Sequence, residues 1–162
     1  METVKITFAK TNPDAKIPTK RDEDVGFDIY ACFEGTQIII HPNCTILIPT
    51  GIASVFDKEY GVILKERSSL GSKGIALRCG VIDSGYRGEW KIALTNTTNR
   101  PFIITKDADY KNENAIVYPV TKAIAQAIII PVPKTETSEI TYDELKRIES
   151  DRKTGGFGST NK

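Results

Sequence analysis

Five separated stretches of the chain carry groups able to bind an oxyanion, a cation or a nucleobase, or to move a proton. In Gly80-Val81-Ile82-Asp83-Ser84-Gly85-Tyr86-Arg87-Gly88 an apolar strand runs into one carboxylate and leaves past one aromatic ring. The spacing predicts a hairpin whose tip holds the acid and the ring together, with Gly85 and Gly88 free to take positive φ and let a ligand approach the backbone. Asp followed by Ser-Gly is also the signature of an ordinary turn that bonds its own backbone. Glu66-Arg67-Ser68-Ser69-Leu70-Gly71-Ser72-Lys73-Gly74 holds two cations, three hydroxyls and two glycines in nine residues. An Arg fork, Ser hydroxyls and freed amides together can wrap an oxyanion, and a plain polar loop is the alternative. The stretch lacks the Gly-Lys-Ser/Thr ending of a P-loop.

Asp24-Val25-Gly26-Phe27-Asp28-Ile29-Tyr30-Ala31 sets two acids four apart. In an extended segment both face the same way, where a hydrated cation can sit, unless they only solvate the surface. Gln126 stands inside the apolar run Ala123 to Ile130. A buried amide needs partners, so it serves either a ligand or a neighbouring backbone. Near the end, Arg152 and Phe157 stand among Gly155, Gly156 and Gly158, followed by Ser159 and Thr160. Such an arm is flexible by composition, and its lone cation and lone ring can also close as a lid over a nucleobase and its phosphates.

The elements that must position these groups are mostly strands. Short β-branched or alternating runs occur at 4–8, 36–40, 45–48, 51–56, 62–64, 80–82, 90–94, 102–104, 115–118 and 123–130, separated by Pro, Gly and Asn. Trp90, Ile92 and Leu94 share one face and Glu89, Lys91 and Ala93 the other, which predicts a half-buried strand returning from the hairpin. One short helix is expected, opened by the capping box Thr141-Tyr142-Asp143-Glu144 and ending near Ser150. The segment 106–114, KDADYKNEN, reads as a solvated loop. These features give an all-β domain over residues 1–150 and a flexible C-terminal arm over 151–162.

Composition narrows the function classes. A chain of 162 residues with 22 basic and 21 acidic side chains carries a formal charge of +1, so no global field draws it to nucleic acid or to an anionic membrane. The longest apolar run, 123–132, is broken by Gln126 and Pro131 and falls short of a membrane span. Met1-Glu2-Thr3 leads into the alternation Val4, Ile6, Phe8, so no secretory signal is expected. Cys32, Cys44 and Cys79 are odd in number and widely spaced, which fits a reducing compartment better than a disulfide framework or a zinc site. The single His41 has no second histidine to pair with on a metal and is read as structural.

Taken in order, the stretches resemble the five motifs of the homotrimeric dUTPases: Asp24 to Ala31, Arg67 to Gly74, Gly80 to Gly88, Ile124-Ala125-Gln126, and Arg152 with Gly155 to Thr160. The resemblance implies a jelly-roll-like β-barrel subunit in a trimer whose active sites are shared between chains. It implies hydrolysis of dUTP to dUMP and pyrophosphate, which limits uracil in DNA and supplies dUMP for thymidylate synthesis. Asp83 would be the general base for a water attacking the α-phosphorus. The backbone of Gly80, Val81 and Ile82 would read uracil, and the Tyr86 ring would pack on deoxyribose and exclude a 2′-hydroxyl. Arg67, Ser68, Ser69 and Gln126 would hold phosphate oxygens, and Asp28 would reach Mg²⁺ through water. Arg152 would grip the terminal phosphate, Phe157 would cover the base, and Gly158, Ser159 and Thr160 would complete closure. A cytoplasmic place follows, or a host cell's cytoplasm for a viral chain, with the nucleus left open.

The sequence departs from the family pattern at Thr121-Lys122-Ala123, where Gly-Asp-Arg/Lys is common, at Lys153 after the arginine, and at Val25 in place of a small alanine. The last is expected to be a packing change only. Two rival readings remain. A dCTP deaminase shares the resemblance at Arg67-Ser68-Ser69 and Gly80 to Asp83, but carries a catalytic glutamate where this chain has Ala93. A dUTPase-like regulatory protein would bind a protein partner through the 106–114 loop.

Overall fold

β-branched runs become strands here because their stiff side chains pack well on a pleated, buried surface. The structure, a computed structural model, describes residues 3–151 and 153. Among them the strands in chain order are β1 (Ile6–Lys10), β2 (Phe27–Ile29), β3 (Gln37–Ile40), β4 (Thr45–Pro49), β5 (Ile52–Phe56) and β6 (Tyr60–Lys65). They continue with β7 (Ile75–Arg78), β8 (Val81–Ile82), β9 (Lys91–Asn96), β10 (Phe102–Thr105), β11 (Ile116–Pro119) and β12 (Ala125–Pro131). Four sheets result, ordered β1-β5, β11-β10-β3, β2-β12-β6-β8 and β4-β9-β7. One core joins them, with Trp90, Phe102, Ile29, Ile40, Ile48, Leu64, Ile92 and Ile104 all fully buried.

The expected β-rich class holds, and four details differ from the sequence reading. Two helices form rather than one: α1 (Ser68–Gly71) precedes α2 (Tyr142–Arg147). A polar Ser-Ser pair hides α1, a single turn closed by Leu70 N and Gly71 N donating to Arg67 O and pinned by the buried Leu70 side chain. Strands β2 and β7 are also additional.

The stretch from Gly80 to Gly88 is no hairpin. β8 pairs with β6, whereas β9 pairs with β4 and β7, so the Asp83 turn carries the chain from one sheet to another. Strand β9 is not half-buried either. Ile92 to Asn96 are all buried, and successive residues face opposite ways, so both faces are covered.

The polar segment 106–114 is exposed except for the half-buried Tyr110, and it has a topological task. It joins β10 to β11, which run parallel with Phe102 opposite Ile116, so the chain must travel back along the strand before re-entering. Arg100 Nη2 fastens its return by donating to the carbonyls of Glu113 (2.6 Å) and Ala115 (2.8 Å).

Two compact units are distinguished, residues 1–132 and 133–162. In the second, Thr141 caps α2 as expected. Its hydroxyl accepts from Glu144 N at 3.2 Å, and Glu144 Oε2 accepts from Thr141 N at 2.8 Å.

Candidate active site

A cavity of about 790 Å³ opens beside β2, β12 and α1, and Asp24, Asp28, Arg67, Ser68, Ser69 and Gln126 all line it. Sheet register explains the convergence. Asp28 of β2 lies opposite Gln126 of β12, which lies opposite Lys65 at the end of β6, and the chain turns straight from Lys65 into Arg67 and the α1 turn. Arg67 Nη1 donates to Asp28 Oδ1, joining a cation and an acid that the sequence reading assigned to separate tasks. Gln126 Nε2 donates to Glu66 O at 3.0 Å, so here a neighbouring backbone satisfies the amide. Gly26 makes room for it: a Cβ there would lie 3.1 Å from Gln126 Oε1 and 3.2 Å from its Cβ.

Asp24 shares the cavity but not the strand, because β2 begins only at Phe27. The spacing argument for two acids on one extended segment therefore does not describe 24–28. Arg21 clamps the Asp24 carboxylate through Nε (3.0 Å), Nη2 (2.9 Å) and its backbone N (3.2 Å). Those bonds, the side-chain ones first and the backbone one next, push the Asp24 carboxyl down to about 2. Val25 is 74% exposed and lines the cavity, so it is not the packing change that the sequence suggests.

The third stretch stands elsewhere. Tyr86 N donates to Asp83 O at 3.0 Å, closing a turn on which Asp83 and Tyr86 are exposed, and neither lines the cavity. Neither Gly85 nor Gly88 takes a positive φ. Gly88 instead makes room for the Tyr86 ring, which a Cβ would strike, and Tyr86 Oη donates to Glu89 O at 3.0 Å. The positive φ falls on Cys79, at 53°, just before β8. Gly80 is required by close approach: its carbonyl accepts from Leu64 N at 2.7 Å, and a Cβ would sit 2.8 Å from Leu64 O.

Register also measures the separation. β2 and β8 are opposite edges of one four-strand sheet, ~14 Å apart at ~4.8 Å per strand. Asp28 is level with Lys65, whereas Ile82, next to Asp83, is level with Val62, which is ~10 Å further along β6. Within one chain the backbone of Ile82, next to Asp83, therefore stands ~17 Å from that of Asp28.

The cavity also includes Thr19, Lys20, Arg21 and Glu23, which sequence reasoning missed. The charge run Lys20-Arg21-Asp22-Glu23-Asp24 was the available signal. Arg152, Phe157, Gly158, Ser159 and Thr160 lie outside the described residues. Among the described residues no group of three or more His, Cys, Asp and Glu side chains is placed to hold a metal ion, and no helix is long and apolar enough to cross a membrane.

A dUTPase family model matches residues 13–109. The deoxyuridine 5'-triphosphate nucleotidohydrolase of Nautilia profundicola is 37% identical over 98% of this chain and 100% of its own length. The chain belongs to the dUTPase family. The dUTPase of Staphylococcus bacteriophage 80alpha with dUPNHPP superposes with a TM-score of 0.78 at 22% identity, over 96% of this chain and 98% of that one. A variant dUTPase from phage phi11 of S. aureus, whose structure details the coordination of a structural Mg(II) ion, gives 0.67 at 19% identity, over 84% of this chain and 96% of that one. The dUTPase model's match takes in Asp28, Arg67 to Ser69 and Gly80 to Tyr86, while Gln126 and residues 151–162 lie beyond it. Ala93, buried to 2% exposure, offers no acid or base of the kind a deaminase needs in place of dUTPase chemistry.

Proposed function

We propose that the chain hydrolyses dUTP to dUMP and pyrophosphate as a homotrimer whose active sites are shared between subunits. The observation that carries this reading is the single cavity joining Asp28, Arg67, Ser68, Ser69 and Gln126 in a member of the dUTPase family. The Arg67 guanidinium, two serine hydroxyls and the Gln126 amide are donors suited to phosphate oxygens, with charge and geometry doing more of the work than any single base. Asp83 deprotonates a water whose oxygen bonds to the α-phosphorus while the bond to the β-phosphate bridging oxygen breaks, releasing pyrophosphate. The edge backbone of Gly80 to Ile82 reads uracil, and the Tyr86 ring selects deoxyribose.

The separation of Asp83 from the cavity supports sharing. A base must lie one hydrogen bond from its water, and that water about 3–3.5 Å from phosphorus, which one chain's ~17 Å gap does not allow. A neighbouring subunit would supply Asp83 to this chain's cavity.

Mg²⁺ fits this donor set only as an ion held chiefly by the triphosphate and by water, since the lining offers Asp28 without a protein cage. When bound it would offset phosphate charge as the attacking oxygen arrives. Residues 151–162 act as an arm beyond the β-rich domain of 1–150, with Arg152 on the terminal phosphate and Phe157 over the base, and Gly158, Ser159 and Thr160 completing closure.

The test incubates purified protein and Mg²⁺ separately with dUTP, dCTP and UTP, following pyrophosphate and ammonia. Preferential pyrophosphate release from dUTP is expected; ammonia from dCTP would sink the reading. The 106–114 loop, as a parallel-strand return fastened by Arg100, has a structural reason to exist without a protein partner.

A further inference from the structure

The cavity's charges are nearly all spoken for before any ligand arrives. Lys20, Arg21 and Arg67 face Glu23, Asp24 and Asp28, so the formal charges of the lining cancel. Arg21 is ion-paired with Asp24 at 2.9 Å, and Arg67 with Asp28. Each guanidinium must loosen a carboxylate before giving full charge to a phosphate. Lys20 forms no ion pair among the described residues.

Backbone geometry fixes where Lys20 stands. Thr19 makes an isolated antiparallel bridge to Asp28, with Asp28 N donating to Thr19 O at 3.0 Å, so Lys20 follows the residue beside the Asp28 carboxylate. Its ammonium donates to the carbonyls of Arg21 (3.2 Å) and Asp24 (3.0 Å) and lies 5.9 Å from the Phe27 ring centroid. An ammonium has three donors, so two carbonyls orient it and leave one N–H for a ligand, with a charge that acts on Asp24 only at a distance and is held in no ion pair among the described residues.

We propose that Lys20 is a further phosphate-binding residue of this site, answering the additional negative charge that the β- and γ-phosphates give dUTP over dUMP. The assignment rests on the reading of the chain as a dUTP hydrolase. Lys20 supplies charge without breaking an ion pair, and its effect grows with the number of phosphates.

The test compares Lys20→Met and Lys20→Arg with wild type, measuring KM and kcat for dUTP and inhibition constants for dUMP and dUDP. Lys20→Met is expected to raise KM for dUTP about tenfold, the loss of one charge-assisted hydrogen bond, with kcat held within about twofold. Inhibition by dUMP should change by less than about twofold, dUDP should fall between, and Lys20→Arg should recover most of the dUTP affinity. The salt dependence of KM should flatten in Lys20→Met. Equal losses for dUMP and dUTP would reduce Lys20 to a turn-holding residue and overturn the assignment, as would an unchanged KM. Wild-type protein that releases no pyrophosphate from dUTP would instead remove the functional reading, and Lys20 with it. Thermal melts of all three proteins distinguish either result from a folding defect.

Discussion

The proposed sharing of sites between subunits makes a quantitative prediction about mixed trimers. Arg67→Ala removes a proposed phosphate donor of the cavity, and Asp83→Asn removes the proposed base while preserving its shape. Register places Ile82, next to Asp83, ~17 Å from Asp28, the residue Arg67 pairs with, across the two intervening strands β12 and β6. If each site takes its cavity from one subunit and its base from a neighbour, random assembly of the two variants in equal amounts makes each contribution intact half the time. About one quarter of the sites then carry both wild-type groups, so a co-refolded mixture should recover about 25% of wild-type turnover from two nearly inactive parents. A site built within one chain gives no intact combination, because every subunit lacks one group or the other.

The assay unfolds the two purified variants together in denaturant, refolds them by dilution, and follows pyrophosphate release from dUTP. Each variant refolded alone and then mixed is the control for trimers that do not exchange. Activity in the co-refolded sample equal to the sum of the parents would refute the shared site. It would require a movement within one chain that closes the gap across the sheet.

Asp83→Asn alone should retain binding of a non-hydrolysable dUTP analogue while turnover falls by about 10²- to 10⁴-fold, read by calorimetry and pyrophosphate release; near-wild-type turnover would remove Asp83 from the mechanism. Gly80→Ala places a Cβ 2.8 Å from Leu64 O just before the two-residue strand β8, and should lower stability by about 1–3 kcal/mol in urea melts and raise KM for dUTP as β8 shifts; an unchanged midpoint would show that β8 yields freely. The Asp24 carboxyl, held by Arg21 bonds and lowered from 3.8 to about 2, stabilises the folded chain above its unfolded value, and that contribution disappears as pH falls through about 2. NMR titration of the Asp24 carboxyl carbon should find that low midpoint in wild type and a return toward 3.8 in Arg21→Ala, and a wild-type midpoint near 3.8 would break the clamp argument.

Local chemistry made much of the fold legible. Ile38-Ile39-Ile40 and Phe102 to Thr105 are stiff, apolar and bounded by turn residues, and both became strands. Thr141 and Glu144 specify their capping box within four residues, and it formed. Partner choice was not legible in this way. The Gly80 to Gly88 turn has all the local marks of a hairpin, yet β8 joins β6 from earlier in the chain while β9 is taken by β4 and β7. Turn residues set how sharply a chain bends; the strands already in place decide which neighbour receives it. The single turn of α1 depends likewise on Leu70 finding the core.

The candidate site divides along the same line. Residue types marked Asp28, Arg67, Ser68, Ser69 and Gln126, but only register shows that they line one cavity while Asp83 does not. The place of Lys20 is not legible in the sequence, because it depends on Thr19 bridging to Asp28, a pairing with no local signature. The same register carries the argument for a shared site. Bringing Asp83 to its own chain's cavity means at least stripping β8 from β6, where Ile82 lies opposite Val62 and Val81 opposite Ile63. Those pairs include the buried Val62 and Ile82, so the motion would expose core to water. A second copy can present the same carboxylate without breaking any of them, which is why assembly is the proposed route to a complete site and why the mixed-trimer experiment is its direct test.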